Sequence, residues 1–396
     1  VQITADMTVS ATFTLKSYTL TVESSNSNYG SVSGVDNPYD HGTTATLTAN
    51  PARGYEFTGW SGDVTSTSST VNITMDSDKS VTANFQKVTP AVSNVICVDS
   101  DVVTPGDGNT WADAKETIQE ALAIAVSGNE IWVAKGTYIP GTNVDDKFTI
   151  NVPIYGGFVP SDKNREDRDK NNPETILDGI NVVNSVVDLK SGAIISCFEV
   201  VNANITALNV YDLTGSTIIE YCLFEDNGSN GSYSNSTYGA AIDASGFEGG
   251  DLLIRNCRFI SNIADGAGGA MYISDAKIRI ENSIFWRNKV NGNSSSGFSG
   301  GAIYISSFGD VEIYNSTFYD NYAKSEGGAI YGLSDIKLSI TNSILWDNNS
   351  DYGGDEICYD DTDVTDFIVE YTCIDYQYYG EDFLCPVDFD QVAVQE

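Results

Sequence analysis

Residues 277–288, KIRIENSIFWRN, decide how this chain is read, because four near-copies surround them: TIIEYCLFEDN (217–227), LLIRNCRFISN (252–262), VEIYNSTFYDN (311–321) and LSITNSILWDN (338–348). Each copy places an isoleucine (219, 254, 280, 313, 340) three residues before a Cys or Ser (Cys222, Cys257, Ser283, Ser316, Ser343). Two residues after it comes Phe224, Phe259, Phe285, Phe318 or Leu345, and three further on an asparagine: 227, 262, 288, 321 and 348. Successive asparagines lie 35, 26, 33 and 27 residues apart. Parallel strands stacked about 4.8 Å apart put like over like. The pattern therefore predicts a right-handed parallel β-helix with Ile and Phe stacked inside. The small Cys/Ser sits at an inward bend, and the Asn amides form a ladder from coil to coil. The uneven spacing assigns loops of different length to one side.

A second element alternates with the first: YGAAID (238–243), GGAMYI (268–273), GGAIYI (300–305) and GGAIYG (327–332). The Gly pair suits a tight corner. Met271, Ile303 and Ile330 are expected inside, which lines up Tyr272, Tyr304 and Tyr331 outside. That row is the candidate ligand-binding site, for stacking sugars or meeting a neighbouring molecule; the plain alternative is aromatics packed under loops. The paired GGAI and FxxN motifs, cleanest at Gly300–Ile303 and Phe318–Asn321, resemble those of chlamydial polymorphic outer-membrane proteins and related β-helix adhesins. The resemblance spans about 217–350 and implies a passenger displayed on a cell surface. No membrane-barrel segment accompanies it.

Upstream, residues 71–85 (VNITMDSDKSVTANF) echo residues 1–13 (VQITADMTVSATF). Residues 1–16 read as the tail of one repeat and 17–87 as a full one. Within it SYTLTVES and TTATLTAN alternate as half-buried strands do. Gly54, Tyr55, Phe57, Gly59, Trp60 and Gly62, followed by Met75 to Phe85, resemble the divergent internalin-type B-repeat of bacterial surface proteins. That resemblance implies a small β-grasp-like spacer or binding module. Residues 88–94 read as a linker, and 95–396 as the β-helix. A helix is expected over about 110–126 (TWADAKETIQEALAIAV), started by Thr110 with Asp113 and stopped at Gly128, as the cap a solenoid needs over its first coil. The order of segments over 95–180 resembles the opening of a large class of bacterial secreted β-helix proteins.

The 396 residues carry 20 Lys+Arg against 55 Asp+Glu, a net charge of −35. That argues against nucleic acid, whose phosphates need basic partners. It favours solubility, cation binding or a calcium-rich medium outside the cell. No apolar run approaches the ~18 residues of a membrane-spanning helix. The chain opens in mid-pattern at Val1-Gln2-Ile3-Thr4 and is expected to be a piece of something longer. The seven cysteines form no CxxC pair, and Cys358, Cys373 and Cys385 cluster in the tail, where one disulfide is expected.

Catalysis finds little support. The one histidine, His41, lies in the N-terminal module, so neither a serine or cysteine triad nor a polygalacturonase-like Gly-His-Gly can be placed in the β-helix. Lyases on this fold need an Arg or Lys base, for which the outward Arg255 and Arg279 are the best hint; the plain reading is solubilising charge. Asp226, Asp320 and Asp347 read as solvated turn acids. Calcium is the cofactor to consider, with Asp99, Asp101 and Asp107 as ligands in VDSDVVTPGDGN (98–109), against the simpler reading of an acidic turn. Asp360, Asp361, Asp363 and Asp366 form a looser candidate. The function expected is a non-enzymatic secreted or cell-surface protein, a scaffold for adhesion, self-assembly or glycan contact, with no catalytic residue. The alternatives are a polysaccharide lyase or glycoside hydrolase using a groove along the helix, and a structural subunit of a surface layer or extracellular filament.

Overall fold

The computed structural model describes residues 8, 10–228, 237–292, 298–333, 335–360 and 367–374. It divides into two units, Val1–Thr89 with Thr110–Ala112, and Pro90–Asn109 with Asp113–Glu396.

The first unit is built from two three-stranded sheets and a short antiparallel pair, Ser17–Tyr18 with Tyr39–Asp40. In one, Leu20–Ser24 runs parallel to Lys79–Lys87, which pairs antiparallel with Tyr55–Gly62. In the other, Gly30–Ser33, Thr44–Pro51 and Thr70–Thr74 are antiparallel. Period-two alternation turns Leu20, Leu47, Ile73, Met75, Val81 and Phe85 inward around Trp60, whose indole N–H donates to the Ser68 carbonyl at 3.0 Å. No helix lies among the described residues of 17–87. Residues 10–16, read above as part of a repeat tail, carry no strand. Residues 88–94 are tied down at two points, the Val88 N–H donating to the Gly54 carbonyl and the Ala91 N–H to that of Lys163.

The second unit is the parallel β-helix that the five copies predict. Each full coil contributes one strand to each of three long parallel sheets, of ten, nine and eight strands, and the later coils add a short fourth, Ile263–Ala264, Lys289–Val290, Tyr322–Ala323 and Asn349–Ser350. In the coil around the opening segment these are Lys277–Glu281 in the first sheet, Ile284–Trp286 in the second and Ile303–Ile305 in the third. The register stacks Ile254, Ile280, Ile313 and Ile340 directly over one another. Phe224, Phe259, Phe285 and Phe318 stack at 5.1, 4.5 and 4.5 Å, within 7° of parallel. All of these side chains are buried in one continuous core.

Two left-handed residues turn each coil. Asn256, Asn282, Asn315 and Asn342, just before the Cys/Ser, have φ between 49° and 55°, a region that Asn tolerates. Ser261, Arg287, Asp320 and Asp347 hold φ of 54–57° before the ladder Asn. The Gly pair is required twice over. Gly300 has φ +72°, and a Cβ on Gly301 would lie 2.0 Å from the Gly328 carbonyl of the next coil.

The capping helix differs from the expectation. It covers only Ile118–Ile124, with Thr117 as N-cap in a capping box with Glu120. Residues Trp111–Asp113 form a separate 3-10 turn. The segment between cannot be helical because Lys115 is held extended, its N–H donating to the Cys97 carbonyl while its own carbonyl accepts from Asp99. Ile118 and Ala121 still cover the first coil, packing into the core with Ile96, Val98, Ile131 and Phe148.

Candidate functional site

The repeated residues are fully occupied by the fold. Asn227 to Asn348 are buried, each side-chain N–H2 donating to the Oδ1 of the next at 3.0, 2.9, 3.0 and 2.7 Å. The ladder ends with the Asn348 amide donating to Glu356 Oε2 at 2.5 Å. Ser283, Ser316 and Ser343 each accept the backbone N–H of the preceding coil's Cys or Ser at 3.2 Å. Cys97, Cys197, Cys222, Cys257 and Cys358 are buried and Cys373 is exposed, and no two of them are joined in a disulfide. Burial pushes the Cys197 thiol up to about 12 and that of Cys222 well above its ordinary value, so these groups are poor nucleophiles. Of the three possible tail pairings, Cys358 with Cys373 is not formed, the two standing on different sheets; Cys385, and with it the other two pairings, lies outside the described residues. Function is left to the outer faces, and each sheet presents a different one.

The third sheet carries the predicted tyrosine row. Tyr272, Tyr304 and Tyr331 are in register on successive coils, outside the core. Their rings stack on one another at 5.7 and 5.2 Å, within 10° and 18° of parallel. Tyr331 is 6% exposed, and burial pushes Tyr304 up to about 12. The ring faces a sugar would stack on are therefore taken up within the row. At one end Asp243 occupies the same register position. Its Oδ2 accepts from the Tyr211 hydroxyl at 2.6 Å, its Oδ1 is buried without a partner, and burial raises its carboxyl to about 6.

The second sheet carries an aromatic row that the sequence reading passed over. Trp286, Tyr319 and Trp346, each one residue past the core Phe or Leu, are in register on three successive coils. Tyr319 is 41% and Trp346 46% exposed, flanked by the exposed Ile284 and Ile344. In contrast to the tyrosine row, none of the three rings stacks on another ring among the described residues, and the Arg287 guanidinium lies 4.6 Å from the Trp286 ring centroid. The signal was present in FWRN, FYDN and LWDN but was masked by the core Phe/Leu beside it.

The first sheet carries a cavity of about 240 Å³ with an unexpected charge. Arg165, Arg168, Lys170 and Arg255 line it with Tyr155 and Glu220. The Arg168 side chain is 1% exposed. Its guanidinium sits 4.9 Å from the Tyr155 ring centroid and donates to Ser196 Oγ at 3.0 Å. Burial lowers its proton affinity. Arg255, the candidate lyase base, donates twice to Glu220 Oε2, at 2.9 and 2.6 Å, and that pairing raises its pKa, the opposite of what a base needs. Arg279 donates to Glu281 at 2.5 Å and lies over the Tyr314 ring. Of the turn acids, Asp320 accepts from Arg287 at 2.8 Å, while Asp226 and Asp347 are exposed.

Asp99 and Asp107 act locally. The Asp101 N–H donates to Asp99 Oδ1 at 3.1 Å, and the Asn109 N–H to Asp107 Oδ1 at 3.0 Å. Asp99 is buried. Among the described residues no three His, Cys, Asp or Glu side chains are grouped to hold a metal ion. Of the looser acidic set only Asp360 is described; Asp361, Asp363 and Asp366 lie outside the described residues.

The fold and these faces define a parallel β-helix solenoid. Residues 18–89 match the family described as divergent InlB B-repeat domain, and residues 315–333 the Chlamydia polymorphic membrane protein repeat. The paired GGAI and FxxN signature extends beyond the residues that match. No curated protein matches the chain. Among solved structures, a pectin methylesterase from Aspergillus niger is 16% identical, covering 74% of this chain and 94% of its own, with a TM-score of 0.37. A pectate lyase is 15% identical over 67% and 80%, TM-score 0.42, and a rhamnogalacturonan lyase 12% identical over 72% and 87%, TM-score 0.39. No helix among the described residues is long and apolar enough to cross a membrane.

Proposed function

We propose that this protein is a non-enzymatic β-helix scaffold, secreted or displayed at a cell surface, that holds a neutral glycan chain along its second sheet. One observation carries the reading: Tyr319 and Trp346 are exposed on successive coils in register with the half-buried, Arg287-covered Trp286, and none of the three rings stacks on another. Their spacing of about 4.8 Å per coil is close to the advance of one unit in an extended β-linked glycan. Aromatic rings bind sugars through their apolar faces, which favours this row over the self-stacked Tyr272, Tyr304 and Tyr331. The charge of −35 opposes polyanions and a second copy of the chain alike, which favours a neutral chain. The two surface-protein repeats support a cell-surface setting. Calcium, as a stabiliser in an extracellular medium, belongs to the same proposal, although Asp99, Asp101 and Asp107 are not grouped as ligands in the fold described; an unchanged melting temperature in EDTA would rule it out.

The test is affinity electrophoresis on soluble neutral polysaccharides alongside a turnover assay on polygalacturonate. The expected result is retardation by a neutral glucan or xylan, lost in Trp346→Ala, with no unsaturated product. Ultraviolet-absorbing product that Arg255→Ala abolishes would instead establish a lyase.

A further inference from the structure

Arg165, Arg168, Lys170 and Arg255 form a cluster of four cations at the cavity of the first sheet, in a chain with only 20 Lys+Arg. Three carboxylates answer them. Glu130 pairs with Arg165, Glu166 with Lys170 at 2.5 Å, and Glu220 with Arg255 at 2.6 Å. Arg168 has no carboxylate to itself. It reaches only Glu220, at 3.8 Å, and Arg255 already holds that group. Four positive charges against three negative leave one guanidinium uncompensated, and it is the most deeply buried. The Nε–H groups of Arg165 and Arg168 are also buried without a hydrogen-bond partner. A buried charge and two unsatisfied donors are costly unless something completes them. A carboxylate is the group whose geometry matches a guanidinium fork. The cavity, at about 240 Å³, is smaller than the roughly 300–1,000 Å³ of sites for drug-sized molecules. It suits a single acidic unit.

We propose that this cavity is a binding site for a small carboxylate ligand, with Arg168 and Arg255 on either side of Glu220 supplying the charge that the ligand neutralises. The site is separate from the aromatic row of the second sheet and stands or falls without it. The carboxylate could come from an acidic sugar or from a simple organic acid, and the two sources are separable.

The experiment is isothermal titration of the whole chain, in a buffer free of carboxylates, with D-glucuronate, acetate and D-glucose. Binding of glucuronate but not acetate assigns an acidic sugar; binding of both at similar strength assigns an organic acid; either upholds the site. No binding of either acid, or equal binding of glucose, overturns it. Arg255→Gln should weaken binding at least tenfold. Arg168→Gln should do the same, and if that variant does not fold, Glu220→Gln carries the test. Removing Glu220 leaves two guanidiniums for the ligand, so affinity should rise at least threefold, whereas a merely structural role for the cluster predicts that it falls.

Discussion

Asn288 shows how little freedom a ladder residue has. Its amide donates to the Phe259 carbonyl at 2.9 Å and to Asn321 Oδ1 at 3.0 Å, and its Oδ1 accepts both the backbone and side-chain N–H of Asn262. Asn288→Ala leaves these groups buried and unpaired at about 1–3 kcal/mol each. We expect a loss of about 3 kcal/mol or more, read as a lower urea midpoint at unchanged m-value; a change within about 0.5 kcal/mol would place the residue at an ordinary surface site. Asp243 works in the opposite sense. Its folded-state pKa of about 6 lies above the unfolded value, so the folded protein binds the extra proton and loses stability as pH rises from about 4 to 6. Asp243→Asn should therefore raise the melting temperature at pH 7.5, by about 1–3 kcal/mol of stability, and change it little at pH 4. A lower melting temperature at pH 7.5 would contradict this. Residues of the repeat were legible in sequence because each recurs at a fixed offset. Arg168 was not, because nothing local marks a side chain whose meaning depends on Glu220 and Arg255, far along the chain.

At the scale of elements, the coil is the unit of construction, and each contacts mainly its neighbours. Deleting residues 289–321 joins Asn288 to Tyr322 and reproduces the junction found after Asn321, removing one whole turn in register. Such a variant should fold with an unchanged β-sheet spectrum and a modest loss of stability. Deleting only 289–305 cuts the turn short, misaligns the ladder and should yield insoluble protein. Equal behaviour of the two deletions would argue against a coil-by-coil structure. Strand positions and corners could be read because stacking demands like residues at like places, and Gly300 and Gly301 show how strict that demand is. The capping helix was read too long for a related reason. The apolar spacing of Trp111, Ile118 and Leu122 is helical, but the pairing of Lys115 with Cys97 and Asp99 is a long-range contact that no local pattern reveals. The tyrosine row lies outside the core as its offset implies, and its rings stack on one another, because stacking of like over like operates on the surface as well as in the core.

For the whole molecule, the dominant surface property is a charge of −35. Raising ionic strength from about 0.01 to about 0.15 M shortens the screening length from about 30 to about 8 Å. Self-repulsion should then weaken and the melting temperature rise by a few degrees; a fall would mean that ion pairs such as Arg287–Asp320 outweigh it. Neither composition nor repeat period could tell which face meets a partner. The three faces differ in what their side chains already do: cations clustered at a cavity, aromatics with ring faces not stacked on one another, and aromatics stacked on themselves. The central claim, that the second sheet holds a neutral glycan by stacking units on successive coils, predicts a dependence on chain length. Titration with a series of neutral β-linked oligosaccharides should show affinity rising steeply from one to three units and levelling beyond. It should drop by at least tenfold when Trp286, Tyr319 and Trp346 are all changed to Ala. Affinity that is independent of length, or unchanged by the triple substitution, would contradict the account.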